Sequence, residues 1–163
     1  MRQMWAPWRG EFITGPKPSG CFLCEAAAEP PERDAELHIL ARTASSLALL
    51  NRYPYNNGHL MVAPRAHLAR LQDLPSESVL DLTLLTQRAL AALTATLKPE
   101  GFNIGVNQGK VAGAGVADHI HQHVVPRWSG DTNFMPVLSD VKVMNEHLDA
   151  TYEAIRRGFE QLP

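Results

Sequence analysis

The apolar positions of this chain change period along its length, and the changes mark out its elements. Residues 37–41 (LHILA) and 46–51 (SLALLN) are short apolar runs around a polar turn, Arg42 to Ser45, and read as two strands. YPYNNG at 53–58 is a turn signal closing on Asn57-Gly58, and the run HLMVAP after it reads as a third strand ended by Pro64. From Ser76 the period lengthens. Leu82, Leu85, Ala89, Leu93 and Leu97 recur at steps of three and four, which predicts a long helix with one buried face. Ser76 is its expected N-cap, Glu77 complements the positive end of the macrodipole, and Pro99 is its stop. FNIGVN at 102–107 returns to a strand pattern, and a glycine-rich loop (108–117) follows. Leu148, Tyr152, Ile155 and Phe159 line the apolar side of a second helix, which Gly158 is expected to fray.

Strands, a helix, more strands and a helix again argue for an α+β domain with helices packed on a largely antiparallel sheet. The first 35 residues hold Pro7, Pro16, Pro18, Pro30 and Pro31, so they are expected to be irregular apart from a short helix over 24–29. No repeat or linker interrupts the pattern. The chain is read as one domain over 1–163: an irregular segment (1–35), a core (36–128) and a C-terminal extension with its helix (129–163).

Composition changes this picture little. A length of 163 residues with 45% apolar residues is ordinary for one globular domain. No apolar run reaches the roughly 20 residues of a membrane span. The segment MRQMWAPWRGEF lacks the unbroken apolar stretch of a secretory signal, so a cytoplasmic location is expected. A formal charge of −2 gives no general attraction to nucleic acid or membrane, and neither is expected as a partner. An anionic ligand would need a locally built site. The only cysteines, Cys21 and Cys24, stand three apart, a spacing that suits a metal half-site or a redox pair better than a structural crosslink.

The candidate chemistry lies in HIHQHVVPRW, residues 119–128. An extended segment would put His119, His121 and His123 on one face and Ile120, Gln122 and Val124 on the other. Seven histidines in 163 residues make a chance pair unremarkable, but three at alternate positions are not expected by chance. One reading is a polar strand face with no further role. A second is a metal site, although alternate strand positions lie about 6–7 Å apart and no carboxylate sits within the segment. A third is chemistry on a phosphate: a neutral histidine with one ring nitrogen fixed by an acceptor aims the lone pair of the other at phosphorus, and a neighbour donates to the phosphate oxygens. Gly109, Gly113 and Gly115, just upstream, could present amide N–H groups to such an anion.

His119-Ile-His121-Gln-His123-Val-Val resembles the signature of the histidine triad (HIT) family. LNRYPYNNGHLMVAPRAH (50–67) is similar to that family's nucleoside-binding hairpin. MWAPWR (4–9) and VVPRWSGDTNFMPV (124–137) resemble the bacterial branch of diadenosine polyphosphate hydrolases and phosphorylases. The resemblance implies a HIT-like fold with an antiparallel sheet of about five strands and two main helices, the sheets of two chains joined in a homodimer. It implies cleavage at the α-phosphate of a dinucleoside polyphosphate through a nucleotidyl-histidine intermediate. His121 would be the nucleophile, His123 would bond the phosphate or the leaving group, and His119 would be structural. Asn51 would bind ribose hydroxyls, His59 would support the site, and Asn107 with amides near Gly115 and Val116 would hold the α-phosphate.

Some relatives bind zinc through a Cys-x-x-Cys pair, the histidine of a Pro-x-x-His segment and the first triad histidine. Cys21, Cys24, His67 and His119 match that structural set, and no organic cofactor is expected. Two departures stand out. The loop reads Gly113-Ala114-Gly115-Val116 where many relatives carry an amide or hydroxyl side chain, and Gln122 replaces an apolar residue. Phosphate in place of water as acceptor, a phosphoramidate or other AMP conjugate as substrate, and a non-catalytic nucleotide-binding module are the alternatives. His38 and His147 are expected to be surface residues. Trp5, Trp8 and Trp128 are expected to pack the termini, with stacking on adenine as the alternative. Arg9, Lys110 and Arg127 are candidate polyphosphate contacts, each weighed against a solvated surface charge.

Overall fold

The computed structural model describes residues 20–132, 144 and 146–162. Trp5, Trp8, Arg9 and residues 133–143 and 145 of the extension lie outside these residues.

Five strands form one antiparallel sheet: β1 (Ile39–Arg42), β2 (Ser46–Leu50), β3 (Leu60–Pro64), β4 (Gly101–Val106) and β5 (Gln122–Arg127), in the order β1-β2-β3-β5-β4. Helices α1 (Phe22–Ala28) and α2 (Asp34–Leu37) precede it, α3 (Ser76–Leu97) joins β3 to β4, and α4 (Leu148–Glu160) follows β5. The α+β architecture expected from the sequence is the one observed.

Alternation along the strands divides the interior in two. Leu40, Ala48, Leu50, Leu60, Val62 and Val124 face α3 and α4, packing on Leu85, Ala89, Leu93, Ile155 and Phe159. Ile39, Leu47, Leu49, Met61 and Ala63 face the other way, onto Leu23, Ala26 and Ala27 of α1. β2 and β3 are buried on both faces, and so read as unbroken apolar runs. The turn between them needs Gly58: its φ is 72°, and a Cβ there would sit 2.5 Å from Leu97 Cδ1.

Several expectations shift in detail. Ser76 is the first helical residue of α3, not its cap; Pro75 holds the N-cap position without a side-chain bond. Proline's fixed φ suits a helix entrance, which displaces the start by one. The short N-terminal helix begins at Phe22, not Cys24. Gly158 does not fray α4. It is buried in the last turn, where α4 crosses α3, and a Cβ there would lie 2.7 Å from Thr96 Cγ2 and 3.0 Å from the Ala92 carbonyl. Its missing side chain lets two helices approach. Finally, β5 starts at Gln122, so His119 and His121 lie in the irregular chain entering it.

Candidate active site

Three histidine rings converge where β3 and β5 run side by side, and their tautomers follow from their partners. The backbone N–H of Tyr55 donates to His59 Nδ1 (3.0 Å), so a neutral His59 carries its proton on Nε2. That Nε2 lies 3.0 Å from His123 Nδ1 and donates to it, which leaves the proton of His123 on Nε2. His59 is 1% exposed and stacks on Tyr55 at 4.7 Å, so burial and the aromatic face hold the ring in place. The consequence is a His123 whose Nε2 is a hydrogen-bond donor.

His121 takes the opposite tautomer. Its Nδ1 lies 2.9 Å from the main-chain carbonyl of His119, an acceptor only, so Nδ1 is protonated and Nε2 bears the lone pair. Its ring meets that of His123 edge-on at 4.9 Å. Burial pushes the His121 pKa below that of an ordinary imidazole, and the bond to the carbonyl only partly opposes this. A ring with a lone pair on Nε2 stands beside a ring with an N–H on Nε2. That pairing suits nucleophilic attack on a phosphate.

His119 is fully buried and faces away from this pair. Its Nε2–H donates to the Pro64 carbonyl (2.8 Å), so its Nδ1 lone pair points at the cysteines: 3.2 Å to Cys21 Sγ and 3.4 Å to Cys24 Sγ. Cys24 Sγ is 3.1 Å from His67 Nδ1. All four donor atoms lie within 4.8 Å of one another. A tetrahedral zinc with Zn–N of about 2.0 Å and Zn–S of about 2.3 Å needs ligand separations of roughly 3.3–3.8 Å. The residues therefore fit a closed, four-coordinate metal, and the Pro64 carbonyl supplies the outer-shell acceptor that orients a ligating histidine. The cysteines get there because Cys21 is the N-cap residue of α1 and Cys24 stands in its first turn. Arg42 and Arg65 hold the other end of α1 through the Ala26 and Ala27 carbonyls.

The remaining expected residues are less tightly engaged. Asn51 directly follows β2, and its Oδ1 accepts the Tyr53 N–H (2.9 Å), which leaves its Nδ2 as the group able to meet a hydroxyl oxygen. Asn107 follows β4 and lines a cleft with His123. Gly115 and Val116 lie in the loop after a 3-10 turn (Lys110–Ala112) bounded by Gly109 and Gly113, both at positive φ. Gln122 pairs with Val62 and Val106, on the sheet face away from His121 and His123. His147 is exposed, whereas His38 is not a plain surface residue: its Nε2 is 2.8 Å from Asp149 Oδ1, tying β1 to α4. Trp128 donates to the Lys98 carbonyl (3.2 Å) and so caps α3. Arg127 is ion-paired with Asp131 through both Nε and an amino nitrogen.

Sequence reasoning missed Tyr55 and Asn56. Asn56 is buried, and its Nδ2 donates to the Pro126 carbonyl (3.0 Å) and to Asp131 Oδ2 (2.9 Å). Both act through main-chain groups or long-range partners, which leave no periodic signal.

The HIT domain family matches residues 32–130. This chain belongs to the HIT family. It is 34% identical, over its full length and 87% of the relative, to the AP-4-A phosphorylase of Mycobacterium tuberculosis. Over 66% of its length it is 38% identical to adenosine 5'-monophosphoramidase hnt1 of Schizosaccharomyces pombe, covering 74% of that protein. Among solved structures it resembles a Zn-bound histidine triad family protein of Mycobacterium smegmatis. The TM-score is 0.69 at 28% identity, covering 87% of this chain and 94% of that one. In HIT terms, the triad is His119, His121 and His123.

Proposed function

We propose that this HIT protein cleaves the α-phosphate anhydride of a dinucleoside polyphosphate by nucleotidyl transfer through His121. The observation that carries this reading is the pair of opposed tautomers, a lone pair on His121 Nε2 beside an N–H on His123 Nε2. Nε2 of His121 attacks the α-phosphorus, a P–N bond forms, and the P–O bond to the bridging oxygen breaks. The leaving oxygen belongs to a nucleoside polyphosphate that is stable as an anion near neutral pH, so it needs a hydrogen bond from His123 rather than a full proton. An acceptor oxygen then attacks the same phosphorus, the P–N bond breaks, and His121 recovers its lone pair.

Asn107 and the amides near Gly115 and Val116 hold the α-phosphate, and Asn51 the ribose. Positioning of this kind supplies most of what phosphoryl transfer requires. With water as acceptor the product is a nucleoside monophosphate; with inorganic phosphate it is a diphosphate. Full-length similarity to a phosphorylase favours phosphate. Incubation with diadenosine tetraphosphate, with and without phosphate, tests this. ADP and ATP formed only with phosphate make it a phosphorylase, and AMP and ATP without phosphate make it a hydrolase. The absence of any product would end the proposal.

The Cys21, Cys24, His67 and His119 set holds zinc in this reading, supported by the ligand geometry and by the zinc in a similar protein. Zinc there crosslinks α1 to the triad segment and takes no part in the reaction. The chain also forms a homodimer along β4, an edge strand with Ile104 and Val106 exposed. Among the described residues, no helix is long and apolar enough to cross a membrane.

A further inference from the structure

A cleft of about 400 Å³ opens beside His123, over the outer face of β4 and β5. Ligand pockets run from roughly 300 to 1,000 Å³, so a molecule of moderate size fits. Its position relative to Asn51 matters. In the order β1-β2-β3-β5-β4, Asn51 stands at the end of β2, while the cleft lies over β5 and β4. A substrate with its ribose near Asn51 and its α-phosphate at His121 would pass His123 and enter this cleft with its other half.

The cleft offers hydrogen-bond donors to an anion. In register beside His123 is Gly105, and a Cβ there would meet nothing within 4 Å. The flanking positions two residues to either side, Asn103 in β4 and Asn107 just after it, both carry carboxamides. Asn103 Oδ1 accepts from an amino group of Arg127 (2.7 Å), so its Nδ2 is the group left to donate. Arg127 lies at the far end, four residues from His123 on β5 and about 13 Å along the strand. A single phosphate does not span that distance; a polyphosphate chain does. Asp131 turns no uncompensated charge into the cleft, because Arg127, Asn56 and the Trp128 N–H all donate to it.

We infer that this cleft is the leaving-group subsite: Asn103 and Arg127 bind the departing nucleoside polyphosphate, and the bare backbone at Gly105 makes room for it. The inference rests on the proposed nucleotidyl transfer and adds a specificity-determining region to it. It also explains how one triad could discriminate a dinucleotide from a small AMP conjugate, since only the former reaches past His123.

The test compares binding of AMP with binding of a diadenosine tetraphosphate analogue whose α,β-bridging oxygens are replaced by methylene. Calorimetry on the intact protein is expected to give an analogue affinity at least tenfold above that of AMP. Gly105→Val fills the floor without a steric clash. Asn103→Asp keeps an acceptor for Arg127 and puts a negative charge in the cleft. Each is expected to remove most of the analogue's advantage while leaving AMP affinity within about twofold. Sedimentation of both variants shows whether assembly is unchanged; where Gly105→Val alters it, Asn103→Asp decides. The inference is overturned if the native protein binds the analogue no better than AMP, if the variants keep the advantage, or if AMP binding falls in parallel. Turnover by the native protein separately judges the proposed reaction.

Discussion

The carbonyl oxygen of His119 accepts the Nδ1–H of His121 at 2.9 Å, so the residue whose ring faces the cysteines also fixes, through its main chain, the tautomer of the proposed nucleophile. The proposed metal site and the proposed reaction centre share one residue but use different atoms of it. The backbone there is held independently, by the Ile120 N–H donating to the Leu68 carbonyl.

This separation predicts the effect of removing the metal. Elemental analysis is expected to find about one zinc per chain, lost in Cys24→Ala. The melting temperature should then fall on the order of 10 °C, since a structural zinc contributes several kcal/mol. Turnover measured below the new transition should fall less than about tenfold, because the Ile120–Leu68 bond still positions the carbonyl. A zinc-free native protein, or a variant that loses all activity while folded, would contradict the division of roles.

His121→Asn removes the Nε2 lone pair proposed to attack phosphorus. Turnover of diadenosine tetraphosphate is expected to fall by at least about 10³-fold, with AMP affinity kept within a few-fold. A variant retaining more than a tenth of native kcat would exclude His121 as nucleophile.

His59→Phe keeps a ring against Tyr55 but removes both hydrogen bonds that set the tautomer of His123. Steady-state kinetics should give a kcat lowered by about 10² with KM nearly unchanged, because the affected N–H matters most as charge develops on the leaving oxygen. A rise in KM alone would point to a binding role instead.

Gly158→Val tests the helix crossing. Valine is a better helix former than glycine by a few tenths of a kcal/mol, but overpacking against Thr96 and the Ala92 carbonyl costs about 1–3 kcal/mol. Urea denaturation is expected to show net destabilisation. A neutral or stabilising result would mean that α4 can move away from α3 at little cost.

Asp81 predicts an acid-labile component of stability. Burial works to raise its pKa, but hydrogen bonds from the Thr43 and Ser45 hydroxyls outweigh this and hold the carboxyl below the usual aspartate range. A depressed folded-state pKa contributes stability that is complete above the unfolded value of about 3.9 and is lost as pH falls through the folded one. Denaturation midpoints between pH 2 and 6 should therefore be less pH-dependent in Asp81→Asn than in the native protein.

The sequence by itself determined the main strands and the two long helices, because burial imposes a period: apolar runs for strands buried on both faces, and steps of three and four for α3. It also made the triad and the cysteine pair visible, since both are local in the chain. Only the tertiary structure decided which nitrogen of each histidine carries a proton. Those assignments depend on the Tyr55 N–H, the Pro64 carbonyl and the ring of His59, which lie far from the triad in sequence and have no pattern of their own. It likewise turned Gly158 from an expected helix end into a helix contact and brought Asn103, Gly105 and Arg127 beside His123. Strand pairing, which chain periodicity does not encode, makes β4 the neighbour of β5 and opens the cleft.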